Sequence, residues 1–202
     1  MFTGLIREFA SVVSYKNSVL TLRAKYRPSI GDSVAVNGVC LTVVSLGDAQ
    51  FSLELSSETR SLMAVKNLKR RVHIEPAMKL SDRLEGHIVQ GHVDCIGVIK
   101  SIEKKQNATD FYISYPKEFF KYIVPKGSIA INGVSLTIND VLKEHFRLTI
   151  IPHTMSQTLF GEYKIAQEVN IETDMFARYI YHMINTKDAM SWSEVDSIMA
   201  KF

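Results

Sequence analysis

The chain contains itself twice. Asn37-Gly38-Val39-Cys40-Leu41-Thr42 returns as Asn132-Gly133-Val134-Ser135-Leu136-Thr137, and the shift of 95 positions carries through the flanks. Ser33-Val34-Ala35-Val36 matches Ser128-Ile129-Ala130-Ile131, and Phe51-Ser52-Leu53-Glu54-Leu55 matches Phe146-Arg147-Leu148-Thr149-Ile150. Val72-His73-Ile74-Glu75 matches Val169-Asn170-Ile171-Glu172 at a shift of 97, and Gly4-Leu5-Ile6 aligns more loosely with Gly91-His92-Val93 at a shift of 87. Duplication on this scale constrains the architecture before any element is assigned, because both halves must adopt one fold with its own core. The organisation expected is a first domain over residues 1–87, a second over 88–174 and an unrepeated tail over 175–202.

Each copy reads as β. Phe51, Leu53 and Leu55 alternate with Ser52 and Glu54, and Phe146, Leu148 and Ile150 alternate in the same way, the period of a half-buried strand. The runs ending at Val36 and Ile131 lead into Asn-Gly pairs, which tolerate positive φ and so favour a hairpin turn. Many short strands with turn punctuation suggest a small closed barrel, which removes the exposed edges short strands would present. Short helical turns are expected near residues 60–64 and 118–122, and the boundary between copies near 81–87.

The tail breaks the pattern. Phe176, Ile180, Met183 and Ile184 recur at spacings of three and four, the stripe of an amphipathic helix. A second helix is expected from Ser191, with Glu194 completing a capping box and Trp192, Val195, Ile198, Met199 and Phe202 on one face. An apolar helix without a counterpart in the repeat must cover something, and contact between subunits is the favoured role.

Composition narrows the chemistry by elimination. Net charge is only +3, and Lys69-Arg70-Arg71 is the one basic run, so nucleic-acid binding is not expected. No apolar stretch reaches the roughly 20 residues of a membrane span, and Met1-Phe2-Thr3-Gly4-Leu5-Ile6-Arg7-Glu8 does not read as a signal peptide. Two cysteines, Cys40 and Cys95, are too few for a disulfide framework, and a reducing, cytoplasmic location is expected. His87 and His92 stand five apart, a spacing that puts them on opposite faces of a strand, and no acidic or histidine cluster completes a metal site. Glycine-rich phosphate loops and the Gly-x-Ser-x-Gly nucleophile elbow are missing. What remains is a pair of β-barrels, each with one ligand slot near its repeated turn.

Several of these segments together resemble the riboflavin synthase family. They are Met1-Phe2-Thr3-Gly4-Leu5-Ile6, the two Asn-Gly-Val-x-Leu-Thr hexapeptides, Gly86-His87-Ile88-Val89-Gln90-Gly91-His92-Val93-Asp94, Ser57-Glu58-Thr59, Ile151-Pro152-His153-Thr154 and Asn170-Ile171-Glu172-Thr173-Asp174. The resemblance runs over residues 1–186. It implies two tandem six-stranded Greek-key β-barrels of the flavin-reductase type, plus a C-terminal helix that assembles a homotrimer. It implies that each barrel binds one 6,7-dimethyl-8-ribityllumazine and that the active site forms between subunits. There one lumazine gives a four-carbon unit to the other, yielding riboflavin and 5-amino-6-ribitylamino-uracil without cofactor or metal. Association with lumazine synthase is a further partnership that the resemblance leaves open.

Carried over by position, the first-barrel site would be Gly4-Leu5-Ile6, Cys40-Leu41-Thr42 and Glu54-Leu55-Ser56-Ser57-Glu58-Thr59. The second would be Gly91-His92-Val93, Lys126, Ser135-Leu136-Thr137 and Ile151-Pro152-His153-Thr154-Met155-Ser156. The reaction needs a proton taken from the 7-methyl group, a nucleophile added to the ring and two rings held face to face. Holding both substrates together makes the encounter effectively unimolecular. An imidazole such as that of His92 can move the proton. Cys40, Ser135, Thr137 and water are alternative nucleophiles. The rival expectation is a non-catalytic lumazine- or flavin-binding protein of the same fold. Retention of the motif in both copies, with Cys40 and His92 present, favours the enzyme.

Overall fold

The computed structural model describes residues 1–185, so the second tail helix expected from Ser191 lies outside the described residues. The first copy supplies β1 (Glu8–Lys16), β2 (Val19–Arg23), β3 (Ser33–Val36), β4 (Val39–Gly47), β5 (Gln50–Glu54) and β6 (Arg71–Pro76). They close in the order β1-β2-β5-β4-β3-β6. The second supplies β7 (Cys95–Lys104), β8 (Thr109–Ser114), β9 (Ser128–Ile131), β10 (Val134–Val141), β11 (His145–Ile150) and β12 (Glu168–Thr173), closed in the equivalent order. Neighbouring strands pair antiparallel. A register shift falls at Val12/Ser14 in β1 and at the matching Ile99/Ser101 in β7. A second falls at Val43/Ser45 and at Ile138/Asp140. Bulges at fixed places add the local twist that so small a sheet needs to close.

The alternation reads out as burial. Phe51 and Leu53 in β5, and Phe146, Leu148 and Ile150 in β11, turn inward to separate barrel cores. Short helices follow the fifth strand of each copy: α1 (Ser57–Leu62) and α2 (Pro152–Gln157). Helical turns occupy Val65–Asn67, Lys117–Tyr122 and Leu159–Glu162, so the first turn expected at 60–64 is an α-helix beginning earlier. Its start is set by Ser56, whose side chain accepts from the Thr59 N–H and caps the helix.

His87 and His92 lie in a segment that is neither strand nor helix. Residues 84–94 form an irregular strap with one bridge, Phe2 to Val89, and both glycines there work against strand geometry. Gly91 has φ +80°, and a Cβ on Gly86 would sit 2.0 Å from the Thr3 carbonyl oxygen.

The barrels meet across a pseudo-two-fold junction built from the two Asn-Gly turns. Asn37 (φ 45°) and Gly38 (φ 79°) repeat as Asn132 (φ 47°) and Gly133 (φ 80°). A Cβ on Gly38 would lie 2.5 Å from the Gly133 nitrogen, so the turns touch backbone to backbone. Beside them the His73 N–H donates to Asn37 Oδ1 and the Asn170 N–H to Asn132 Oδ1. The side chains then cross over. Asn170 Nδ2 donates to the Asn37 carbonyl at 2.8 Å and its Oδ1 accepts from the Ala64 N–H. His73 does the same work with Nδ1 2.9 Å from the Asn132 carbonyl and Nε2 accepting from the Leu159 N–H. That second bond fixes the neutral tautomer with its proton on Nδ1, and burial holds the pKa down at about 4.

The tail helix α3 (Met175–Asn185) packs Tyr181 edge-on to Tyr122. Phe176, Ile180, Met183 and Ile184 are each more than half exposed. No helix among the described residues is long and apolar enough to cross a membrane.

Candidate active site

The leading segments of the two copies exchange places, and this decides what each cavity contains. Phe2 and Val89 pair antiparallel, each N–H donating to the other's carbonyl. With Ala35 and Ala130 they make a small apolar joint between the barrels. From there each strap runs to the other barrel. The Gly4 carbonyl accepts from the Ser135 N–H at 2.8 Å, and the Gly91 carbonyl accepts from the Cys40 N–H at 2.8 Å. Ile6 packs on the second barrel's core and Val93 on the first. Both crossings need glycine: a Cβ on Gly4 would lie 2.6 Å from Ser135 Cβ, and one on Gly91 the same distance from Cys40 Cβ.

The division of residues expected from the resemblance is therefore corrected. Gly4-Leu5-Ile6 belongs with Ser135, and Gly91-His92-Val93 belongs with Cys40. Position in the chain suggested the opposite, because each strap precedes the barrel it does not serve.

Repeated buried carboxylates hold the straps. Glu75 accepts from the Thr3 N–H, the Thr3 hydroxyl and the Gly4 N–H. Glu172 accepts from Gln90 and Gly91 N–H at 2.7 and 2.9 Å. Burial pushes both pKa values up, that of Glu172 to about 7, against the pull of these N–H donors and, for Glu172, of Arg178.

The first cavity, about 290 Å³, is lined by Cys40 from β4, by Glu58, Thr59 and Leu62 from α1, and by Gly91, His92 and Val93 from the second copy's strap. Leu41 and Leu55 point into the core behind it. Thr42 and Glu54 face each other across β4 and β5, exposed. Ser56 and Ser57 lie at the start of α1, where Ser56 also hydrogen-bonds the Thr59 hydroxyl at 2.9 Å.

The second cavity, about 410 Å³, is lined by Ser135, Leu136 and Thr137 from β10, by Ile151 and Thr154, and by Leu5 with Glu85 and Gly86. Pro152, Met155 and Ser156 face an adjoining hollow beside Lys104 and Lys105, while His153 is exposed. Lys126, in the turn before β9 with φ 66°, lines neither cavity.

One residue gains a role that spacing had not given it. His87 Nδ1 lies 2.7 Å from Ser135 Oγ. Burial lowers the His87 pKa, with Asp174 pulling the other way, which favours the neutral ring; in the tautomer with Nδ1 unprotonated it can accept a hydrogen bond from the Ser135 hydroxyl. The signal was the dipeptide Gly-His, present at 86–87 and again at 91–92. The repeated Glu75 and Glu172 were visible as a pair as well, but a carboxylate at a strand end does not announce its partner. Among the described residues no group of three or more His, Cys, Asp or Glu side chains could hold a metal ion. Cys95 is buried in the second barrel with its pKa pushed up to about 12, which makes it an inert core residue.

A larger hollow, about 670 Å³, opens at the seam around Lys66–Arg71 and Glu162–Gln167. Ion pairs cross it, Lys66 to Glu168 and Arg71 to Glu162, so part of the basic run binds the barrels to each other.

Fold and cavities define a class: a duplicated β-barrel protein with two equivalent cavities, each lined in part by the other copy's strap. The model of the lumazine binding domain matches twice, over residues 3–77 and 90–174. The chain is 39% identical to a riboflavin synthase of Actinobacillus pleuropneumoniae over 94% of its length and 92% of that relative. It is 37% identical to one of Bacillus amyloliquefaciens over 92% and 90%. The chain belongs to the riboflavin synthase family. In fold it is similar to LumP in complex with riboflavin, with a TM-score of 0.76 at 20% identity, covering 86% of this chain and 99% of that one. LumP in complex with 6,7-dimethyl-8-(1'-D-ribityl) lumazine gives 0.73 at 19% identity with the same coverage.

Proposed function

We propose that the chain converts two molecules of 6,7-dimethyl-8-ribityllumazine into riboflavin and 5-amino-6-ribitylamino-uracil by moving a four-carbon unit from one to the other. The observation that carries this reading is the pair of equivalent cavities on the repeated turn, each crossed by a strap and each with a histidine beside it. A dismutation of two identical molecules calls for two like sites, and a simple binding protein needs only one. The reactants differ only in role, as donor and acceptor of the unit, and the cavities differ in the same modest way.

In the first cavity Cys40 and His92 face the ligand; in the second, Ser135 with His87 behind it and Thr137 do so. We assign the Ser135–His87 pair to proton transfer at a 7-methyl group, whose acidity needs only a well-placed base. Cys40 and Thr137 serve as ring donors. Thr59 and Thr154 and the first turns of α1 and α2 line the binding surface. The proposed working unit is a homotrimer joined through α3, whose exposed Phe176, Ile180, Met183 and Ile184 need cover. In it the first cavity of one subunit faces the second cavity of a neighbour. The proposed setting is the cytoplasm, and association with lumazine synthase would pass substrate directly.

The test is to supply purified protein with the ribityl-lumazine alone and follow riboflavin by its absorbance while measuring mass by sedimentation. One riboflavin should appear for each two lumazines consumed, from a species of three chains. Binding without conversion would contradict the enzyme, and active monomers would contradict the shared site.

A further inference from the structure

The tail helix reaches the strap that carries His92. Arg178 on α3 donates from Nη1 to Asp94 Oδ1 at 2.9 Å and from Nη2 to Gln90 Oε1 at 2.7 Å. The pair is sheltered, with the Asp94 side chain 10% exposed. The other Asp94 oxygen accepts from the Thr173 N–H and hydroxyl at 2.7 and 2.6 Å. Glu172 takes the Gln90 and Gly91 N–H groups. The strap is thus pinned by side chain at Gln90 and Asp94, with His92 between the pins. Its counterpart at 3–6 is held by Glu75.

An exposed ion pair would carry little weight here. A guanidinium that bridges a carboxylate and an amide four residues apart is different, because its planar fork fixes direction as well as distance. Asp94 is itself held in place, because its other oxygen accepts from the Thr173 N–H and hydroxyl.

We infer that Arg178 is a positioning residue for the first cavity: its fork holds residues 90–94 so that His92 faces the space lined by Cys40. α3 is then a working part of the first site. The inference rests on the reading that this cavity holds one ribityl-lumazine.

The experiment compares full-length wild type with Arg178→Gln, Arg178→Lys and Gln90→Ala by backbone hydrogen exchange and steady-state kinetics. Arg178→Gln should speed exchange over residues 90–94 and lower kcat/KM, each by about tenfold, the usual worth of a charge-assisted bond. Exchange over residues 3–6 should stay at the wild-type rate. Arg178→Lys keeps the charge opposite Asp94 but loses the Gln90 arm, so it should recover part of both effects. Gln90→Ala leaves the ion pair and the helix docked, and should show a smaller change in the same direction. It also decides the matter if Arg178→Gln does not fold. Faster exchange confined to 176–185, unchanged exchange at 90–94, or a loosened strap with wild-type kcat/KM would each overturn the inference. A wild-type protein that neither binds nor converts the lumazine would instead overturn the functional reading, while the exchange comparison would still show whether Arg178 holds the strap.

Discussion

The two cavities began as copies and have diverged by a few atoms. Both have an Asn-Gly turn, a strap glycine pressed against the residue three positions past the turn's asparagine, and a buried glutamate holding that strap. In the second cavity Ser135 has an imidazole at 2.7 Å. In the first, no imidazole among the described residues hydrogen-bonds to Cys40 Sγ, and His92 stands on the wall of the cavity. One site pairs a serine hydroxyl with an imidazole, and the other has a cysteine with a separate histidine on the cavity wall. The comparison teaches that duplication fixes where a ligand can sit, and that single side chains decide what is done to it there.

The largest effect should follow from breaking the serine–imidazole pair. His87→Ala removes the acceptor for the Ser135 hydroxyl and should lower kcat by about 10²–10⁴, the range of a lost acid–base partner. Lumazine binding in the first cavity should persist, as read by fluorescence titration. A variant with wild-type kcat would erase the proposed difference between the sites.

The second prediction concerns the junction, where the copies differ as His73 against Asn170. Burial lowers the His73 pKa from 6.5 to about 4. Stability from the neutral ring is present in full above about pH 6.5 and is lost as pH falls toward 4, because the unfolded chain takes up the proton first. The size is about 3 kcal/mol at about 1.4 kcal/mol per unit. Glu172 acts in the opposite sense. Its pKa is raised from 4.5 to about 7, so its contribution is present below pH 4.5 and lost as pH rises through 7. Urea unfolding of wild type against His73→Asn separates the two, since Glu172 is common to both. Asn170 shows that an asparagine can make both bonds, so the variant should fold and its stability should fall less steeply between pH 6.5 and 4. Equal slopes would mean that His73 does not carry the acid sensitivity.

Much of this was legible in the chain. Strand alternation, the Asn-Gly turns and the amphipathic helix over 175–185 are local patterns, set by side-chain period and by which residues tolerate positive φ. The riboflavin synthase resemblance added strand number and chemistry. What was not legible is non-local. Gly4 and Gly91 carry the same signal whichever barrel they serve, and only the Phe2–Val89 bridge sends each across. His87 looked structural because nothing in the spacing from 87 to 135 says that two side chains meet. The Asp94–Arg178 pair joins a strap to a helix, and neither residue belongs to a repeated motif.

The exchange of straps is the claim on which the division of the site depends, and double-mutant cycles on riboflavin binding test it most directly. Residues that share a cavity should be coupled, and those in separate cavities should add. His92→Ala with Cys40→Ala, and His87→Ala with Ser135→Ala, should each give an interaction of about 0.5–3 kcal/mol. The crossed pairs, His92 with Ser135 and His87 with Cys40, should be additive. Coupling of His92 to Ser135, with Cys40 independent of it, would mean that each strap serves the barrel that follows it, and would contradict the account.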